Sequence, residues 1–87
     1  MNLEWMRADD RTNTFWACFE IYDDRAHVLA IISNAERVDQ RMTLDDARAL
    51  WADLRQRGWH HATEEEIKQS NISRRHLLDV AYPRRRP

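Results

Sequence analysis

One stretch of the sequence decides the fold, Thr43–Trp59, which reads TLDDARALWADLRQRGW. Thr43 precedes two aspartates, so it can cap a helix whose first turn carries favourable negative charge. Apolar residues follow at helical spacing and form a stripe for one face: Ala47, Leu50, Trp51 and Leu54. Gly58 is the only glycine, and it falls where a helix stops in a left-handed residue, with Trp59 placed to fold back onto Leu54. The stretch predicts a helix over Thr43–Arg57.

Two strands are predicted upstream of this helix. Thr14–Tyr22 is rich in aromatic and β-favouring residues. With period-2 alternation it has one face of Phe15, Ala17, Phe19 and Ile21, and another of Trp16, Cys18, Glu20 and Tyr22. Asp23 and Asp24 signal a turn, and Ala26–Ile32 then forms a second strand, apolar on both faces in its latter half. The pair predicts a hairpin.

Weaker signals complete the prediction. Arg37–Met42 suits a third strand, and residues 1–13 suit an arm or a short edge strand. Thr63 and Glu66 form a capping box that opens a second helix of two or three turns. Ser73 can cap a further short turn that carries Leu77, Leu78 and Val80.

The predicted fold class is α+β. We expect a small antiparallel sheet of two to four strands, with the main helix across one face and a shorter C-terminal helix. Trp51 and Leu54 should meet sheet residues on that face: Phe15, Phe19 and Ile31 or their neighbours. Residues 1–81 should form a single domain, and residues 82–87 a basic tail of proline and arginine.

Composition excludes several classes of protein. The chain has 87 residues, which suit one domain and exclude a site in an interdomain cleft. Even its longest apolar runs, such as Val28–Ile32, are far shorter than the roughly 18–20 residues that span a bilayer. The only cysteine, Cys18, excludes a disulfide framework. Because charged Glu4 and Arg7 interrupt any secretory segment after Met1, we expect a cytoplasmic protein with Cys18 reduced.

Catalytic and metal chemistry finds little support in the pattern. The available ligands are Cys18, His27, His60, His61 and His76, and none of them has H-x-x-x-H or C-x-x-C spacing. Neighbouring residues of an extended segment point to opposite sides, so His60 and His61 cannot easily share an ion. Phosphate-cradling loops need glycines that this chain lacks. We therefore predict no catalytic residue, no metal and no cofactor, and the sequence leaves the roles of the four histidines open.

The aromatic residues suggest an interaction surface. Both hairpin strands are apolar on both faces, so one helix cannot cover them. The hypothesis is that four residues pack against the second helix, a symmetric copy or another protein: Trp16, Tyr22, Val28 and Ile32. The predicted function is a non-catalytic interaction or regulatory module that self-associates as a homodimer or binds another protein.

The alternative prediction is an RNA- or DNA-binding protein. The first 42 residues carry a net charge of −3 and the remainder +2, with arginines concentrated near the C-terminus. Phosphate contacts and base stacking would come from Arg74, Arg75, Tyr82, Arg84, Arg85 and Arg86.

A family resemblance covers the helix and its flanks. Arg41–Trp59 resembles a small cyanobacterial domain family of unknown function, in which a strand region rich in tryptophan and arginine leads into a helix of the form A-x-x-L-W-x-x-L-x-x-x-G-W. The matching positions are Ala47, Leu50, Trp51, Leu54, Gly58 and Trp59. The resemblance implies a cyanobacterial setting and no mechanism, and residues 63–87 extend beyond it.

Overall fold

The computed structural model of the chain describes residues 1–33, 36–73 and 75–77. Its elements are, in chain order, β1 (Asn2–Asp9), β2 (Thr14–Ile21), β3 (Arg25–Ile31), β4 (Arg37–Thr43), α1 (Leu44–Gln56), β5 (His60–His61) and α2 (Glu64–Ser70). The strands form one antiparallel sheet in the order β4-β3-β2-β1-β5. The predicted α+β class is confirmed, with five strands in place of the two to four expected.

The N-terminal segment differs from the expected arm or edge strand. β1 is an eight-residue strand that lies between β2 and β5, paired with β2 from Asn2↔Ile21 to Asp9↔Thr14. Its charged residues concealed it from pattern analysis, but two of them have partners across the fold. Glu4 accepts from His61 at 2.8 Å, and Arg7 donates to Glu66 at 3.2 Å.

The main helix follows the prediction at both ends. The Thr43 hydroxyl accepts the backbone N–H of Asp46 at 3.1 Å. Gly58 has a φ of +97°, the left-handed conformation that terminates the helix without steric penalty. The N–H of Trp59 then donates to the carbonyl of Leu54 at 3.0 Å, which returns the chain to the sheet at β5.

α1 packs across one face of the sheet, which we call the α1 face. The core residues on this side share near-complete burial: Met6, Ala17, Phe19, Ala26, Val28, Ala30, Ala47, Leu54 and Trp59. The predicted contact between Trp51 and Phe19 is present, with ring centroids 5.1 Å apart at 72°. Ile31, expected here, packs on the opposite face.

The second face, the α2 face, is covered by α2 and the segment that follows it. Its core consists of Trp5, Trp16, Cys18, Leu29, Ala62 and Leu77, with Ile31, Ile67 and Ile72 packed around it. The predicted capping box opens α2: the Thr63 hydroxyl accepts from Glu66 N–H, and Glu66 Oε1 accepts from Thr63 N–H. Ser73 caps a turn through the N–H of His76 at 3.2 Å, whereas Leu78 and Val80 lie outside the described residues.

Candidate interaction surfaces

The four residues predicted to form one partner surface do not lie together. Trp16 is buried on the α2 face, edge-on to Trp5 with centroids 6.1 Å apart. Tyr22 follows β2 and remains exposed, with its hydroxyl donating to Glu20 at 2.9 Å. Val28 is fully buried on the α1 face, and Ile32 packs against the same cluster. The four side chains therefore do not form a single surface: Trp16 packs in the cluster that α2 covers, which is one of the expected arrangements, while Val28 and Ile32 pack on the other face.

Strand register explains this separation. β2 pairs with β3 so that Phe19 lies opposite Val28 and Cys18 opposite Leu29. Because opposite residues of an antiparallel pair share a face, the even-numbered residues of β3 join the odd-numbered residues of β2. A strand that is apolar on both faces gives no sequence signal for this choice.

The basic residues of the nucleic-acid hypothesis fall largely outside the described part of the chain. Arg75 is described and is exposed on the short C-terminal turn. Arg74, Tyr82, Arg84, Arg85 and Arg86 lie outside the described residues, as do the predicted boundary at residue 81 and the basic tail over residues 82–87.

Three of the four histidines bind carboxylates on other elements. His27 of β3 pairs with Asp39 of β4, and His61 with Glu4. His60 pairs with Glu66 at 2.9 Å. As the extended geometry predicts, His60 and His61 point to opposite faces: His60 to α2, and His61 to the Trp51 ring, 5.4 Å away between centroids. Among residues 1–33, 36–73 and 75–77, no group of three or more His, Cys, Asp or Glu could hold a metal ion.

A polar cluster attaches α2 to the sheet, and we call Arg7, His60, Thr63 and Glu66 the Glu66 cluster. Glu66 accepts hydrogen bonds from all three partners: from Thr63 N–H at 3.0 Å, from His60 and from Arg7. The Thr63 N–H bond lowers the pKa of Glu66 most, and His60 and Arg7 lower it further, to about 2. The Arg7 guanidinium also lies over the Trp16 ring, 5.3 Å from its centroid, so the cluster joins the apolar core of the α2 face.

The α1 face carries an open apolar groove of about 350 Å³ beside the helix. We call it the Trp51 groove, and it is lined by Glu4, Phe19, Ile21, Leu44, Ala47, Arg48 and Trp51. Trp51, Ile21 and Leu44 are only partly buried, so apolar surface remains accessible within it. This size and lining fall within the range of sites that hold a small ligand or a few side chains of a partner.

Charge at the rim of the groove is unequal. Glu4, at one end, is already paired with His61. Within the described part of the chain, Arg48 forms an ion pair only with Asp45, at 3.6 Å, and its side chain is 79% exposed. Arg55 lies two helical turns further along the same face of α1 and, among the described residues, forms no ion pair. The groove thus combines apolar walls with available positive charge.

The sequence indicated part of this groove. Phe19, Ile21 and Trp51 stand out as large apolar residues on the predicted contact faces, but pattern analysis assigns them to a closed core. The opening depends on where α1 crosses the sheet, which no local pattern specifies.

Comparisons of the chain with protein-family models, with curated proteins and with solved structures found no match. The resemblance to a cyanobacterial domain family therefore stays a prediction. In the described part of the chain, no helix is long and apolar enough to cross a membrane.

Proposed function

We propose that this protein is a non-catalytic, cytoplasmic interaction module that self-associates and holds an acidic, apolar peptide segment of a partner in the Trp51 groove. The observation that supports it best is the groove itself, since an accessible apolar surface beside a half-buried tryptophan is typical of protein interaction sites. The partner segment would place a large apolar side chain against Trp51, Ile21 and Leu44.

The positive charge of two arginines on α1 favours a partner segment that contains an acidic residue. Arg48 and Arg55 flank Trp51 on the exposed edge of α1. Arg48 has one exposed ion pair, with Asp45 at 3.6 Å, and Arg55 forms none among the described residues. A guanidinium binds a carboxylate through two parallel hydrogen bonds, which fixes the orientation of a segment once its apolar anchor has docked. An acidic residue one or two turns from the anchor would satisfy this geometry.

A displayed library of random peptides tests the proposal, with the folded chain as bait. We expect enrichment of peptides that combine large apolar and acidic residues. Arg48→Glu should weaken their binding about tenfold, since it replaces a charge-assisted contact by a like charge. Arg11→Glu makes the same charge change in the exposed β1–β2 turn and should leave binding unchanged.

Position of binding is checked by chemical-shift mapping with an enriched peptide. Shifts should concentrate on Phe19, Ile21 and Trp51. No enrichment at all, or enriched peptides that bind the Arg48→Glu and parent chains equally, would contradict the proposed groove function.

A further inference from the structure

The outer strand β4 has a feature that neither the groove nor the α2 face uses. It lies at the end of the sheet opposite β5, and no other described strand pairs with its outer side. All seven residues pair with β3 in one continuous register, from Arg25↔Thr43 to Ile31↔Arg37, without a bulge. Straight edges of this kind are templates for another strand.

The hydrogen-bond alternation shows which backbone groups face outward. Ile32 N–H donates to the Glu36 carbonyl at 2.9 Å, which marks that pair as hydrogen-bonded. Hydrogen-bonded pairs recur at every second residue of an antiparallel ladder. The backbone groups of Val38, Gln40 and Met42 therefore point toward β3, as those of Glu36 do. The backbone N–H and C=O groups of Asp39 and Arg41 therefore point away from the sheet.

The sequence of β4, RVDQRMT, is self-complementary about Gln40. We propose that two copies of this chain pair edge to edge through β4, antiparallel, with a two-fold axis at Gln40. In that register Asp39 of one copy faces Arg41 of the other, and Val38 faces Met42. Both contacts occur twice by symmetry, which is the requirement for an isologous dimer interface.

Neighbouring registers are disfavoured by charge. Sliding one strand by two residues gives the next register that keeps the hydrogen bonds. In one direction this places Asp39 against Asp39 of the second copy, and Arg37 against Arg41. A shift in the other direction places Arg41 against Arg41. Like charges directly opposite in a sheet are destabilising, so the Gln40-centred register is the one that β4 specifies.

The fold leaves room for this pairing. α1 begins at Leu44, at the end of β4, and crosses the sheet toward Phe19 of β2 and His61 of β5. It therefore runs away from the open edge. The dimer would contain one continuous ten-stranded sheet built from two five-stranded ones, with the Trp51 groove of each copy outside the interface.

This inference rests on the proposed self-association but uses a different surface from the groove, so the two can fail separately. Sedimentation equilibrium over a concentration series measures the dimer. Asp39→Arg or Arg41→Asp alone should raise the dissociation constant about tenfold, because two symmetric contacts become repulsive. The double exchange D39R/R41D restores opposite charges and should recover most of the affinity. Arg11→Asp, which alters charge only in the exposed β1–β2 turn, should leave it unchanged.

Cross-linking tests the register without relying on charge. Gln40→Cys places two thiols on the axis, where Cα atoms of a non-hydrogen-bonded pair are about 4.5 Å apart, within disulfide reach. Oxidation should yield a covalent dimer. Met42→Cys is the matched control, since the Cα atoms of its two copies would be about 14 Å apart and should not cross-link. Native Cys18 is fully buried and does not interfere.

Three results would overturn the β4 dimer. The first is a monomer at every concentration. The second is a dimer that neither single charge reversal weakens. The third is disulfide formation by Met42→Cys as readily as by Gln40→Cys. Peptide binding in the groove would be unaffected by all three, and loss of peptide binding would leave the dimer intact.

Discussion

The two faces of the sheet are covered in different ways. On the α1 face, a 13-residue helix contributes the buried residues Ala47 and Leu54, and the returning chain adds Trp59. On the α2 face, a seven-residue helix has no buried residue, and its attachment combines half-buried Ile67 with the Glu66 cluster. Both faces have an apolar core, but α1 is held by its own buried side chains, whereas α2 is attached by a half-buried residue and the Glu66 cluster. We expect the two to respond differently to mutation and to pH.

Truncating the apolar side chain that anchors each helix should have the largest effect on the free energy of unfolding. It should also show the largest difference between the two faces. Leu54→Ala leaves a cavity under α1 at a fully buried position and should lower the free energy of unfolding by about 2–5 kcal/mol. Ile67→Ala, at a half-buried position, should cost about 1 kcal/mol. Urea denaturation measures both, and similar losses for the two variants would contradict the distinction between the faces.

The helix caps offer a second, smaller comparison. Thr43 and Thr63 make the same hydrogen bond. In each case the threonine hydroxyl accepts the backbone N–H of the residue three positions later, at 3.1 Å. Thr43→Ala should cost about 1 kcal/mol of global stability, since α1 is part of the main core. Thr63→Ala should act locally, because α2 itself contributes no buried residue to either core cluster.

Amide hydrogen exchange distinguishes these outcomes. Thr43→Ala should accelerate the slowest-exchanging amides of β2 and β3, whereas Thr63→Ala should accelerate only those of α2. If Thr63→Ala accelerated exchange throughout the sheet, α2 would be an integral part of the cooperative core.

The same difference explains what the sequence could predict. The cap, stripe and stop of α1 are local, each readable within one or two turns, and all three are present in the structure. The β2–β3 hairpin also follows from local alternation and a turn signal. β5 could not be found this way, because His60 and His61 form a strand only through pairing with Met6 and Arg7, more than 50 residues earlier.

Candidate surfaces were harder to predict than elements. Whether Val28 and Trp16 share a face depends on the register between β2 and β3, and both apolar patterns permit either choice. The Trp51 groove depends on the path of α1 over the sheet. The β4 edge depends on which strand is last in order. Each of these surfaces depends on contacts between residues far apart in the sequence. Local sequence patterns therefore predict the helices and strands but not the surfaces that they form together.

Acidification should loosen the α2 face selectively, and this is the smallest effect that we expect. The folded-state pKa of Glu66 is about 2, below its ordinary value of 4.5. A lowered pKa means that its contribution to α2 docking is complete above about pH 4.5 and is lost as the pH falls toward 2. Protonation removes the negative charge that the Arg7 guanidinium and the His60 ring both contact, so both hydrogen bonds to Glu66 weaken.

The indole N–H resonances report each face separately. Between pH 4.5 and 2, those of Trp5 and Trp16 should shift while that of Trp51 stays nearly constant. Glu66→Gln keeps an acceptor for the capping box but no charge, so much of this pH dependence should disappear. Glu65→Gln, its exposed neighbour, should retain the parent profile. A Trp51 resonance that moves together with those of Trp5 and Trp16 would show instead that both faces open as one cooperative unit, and that the Glu66 cluster does not act on α2 alone.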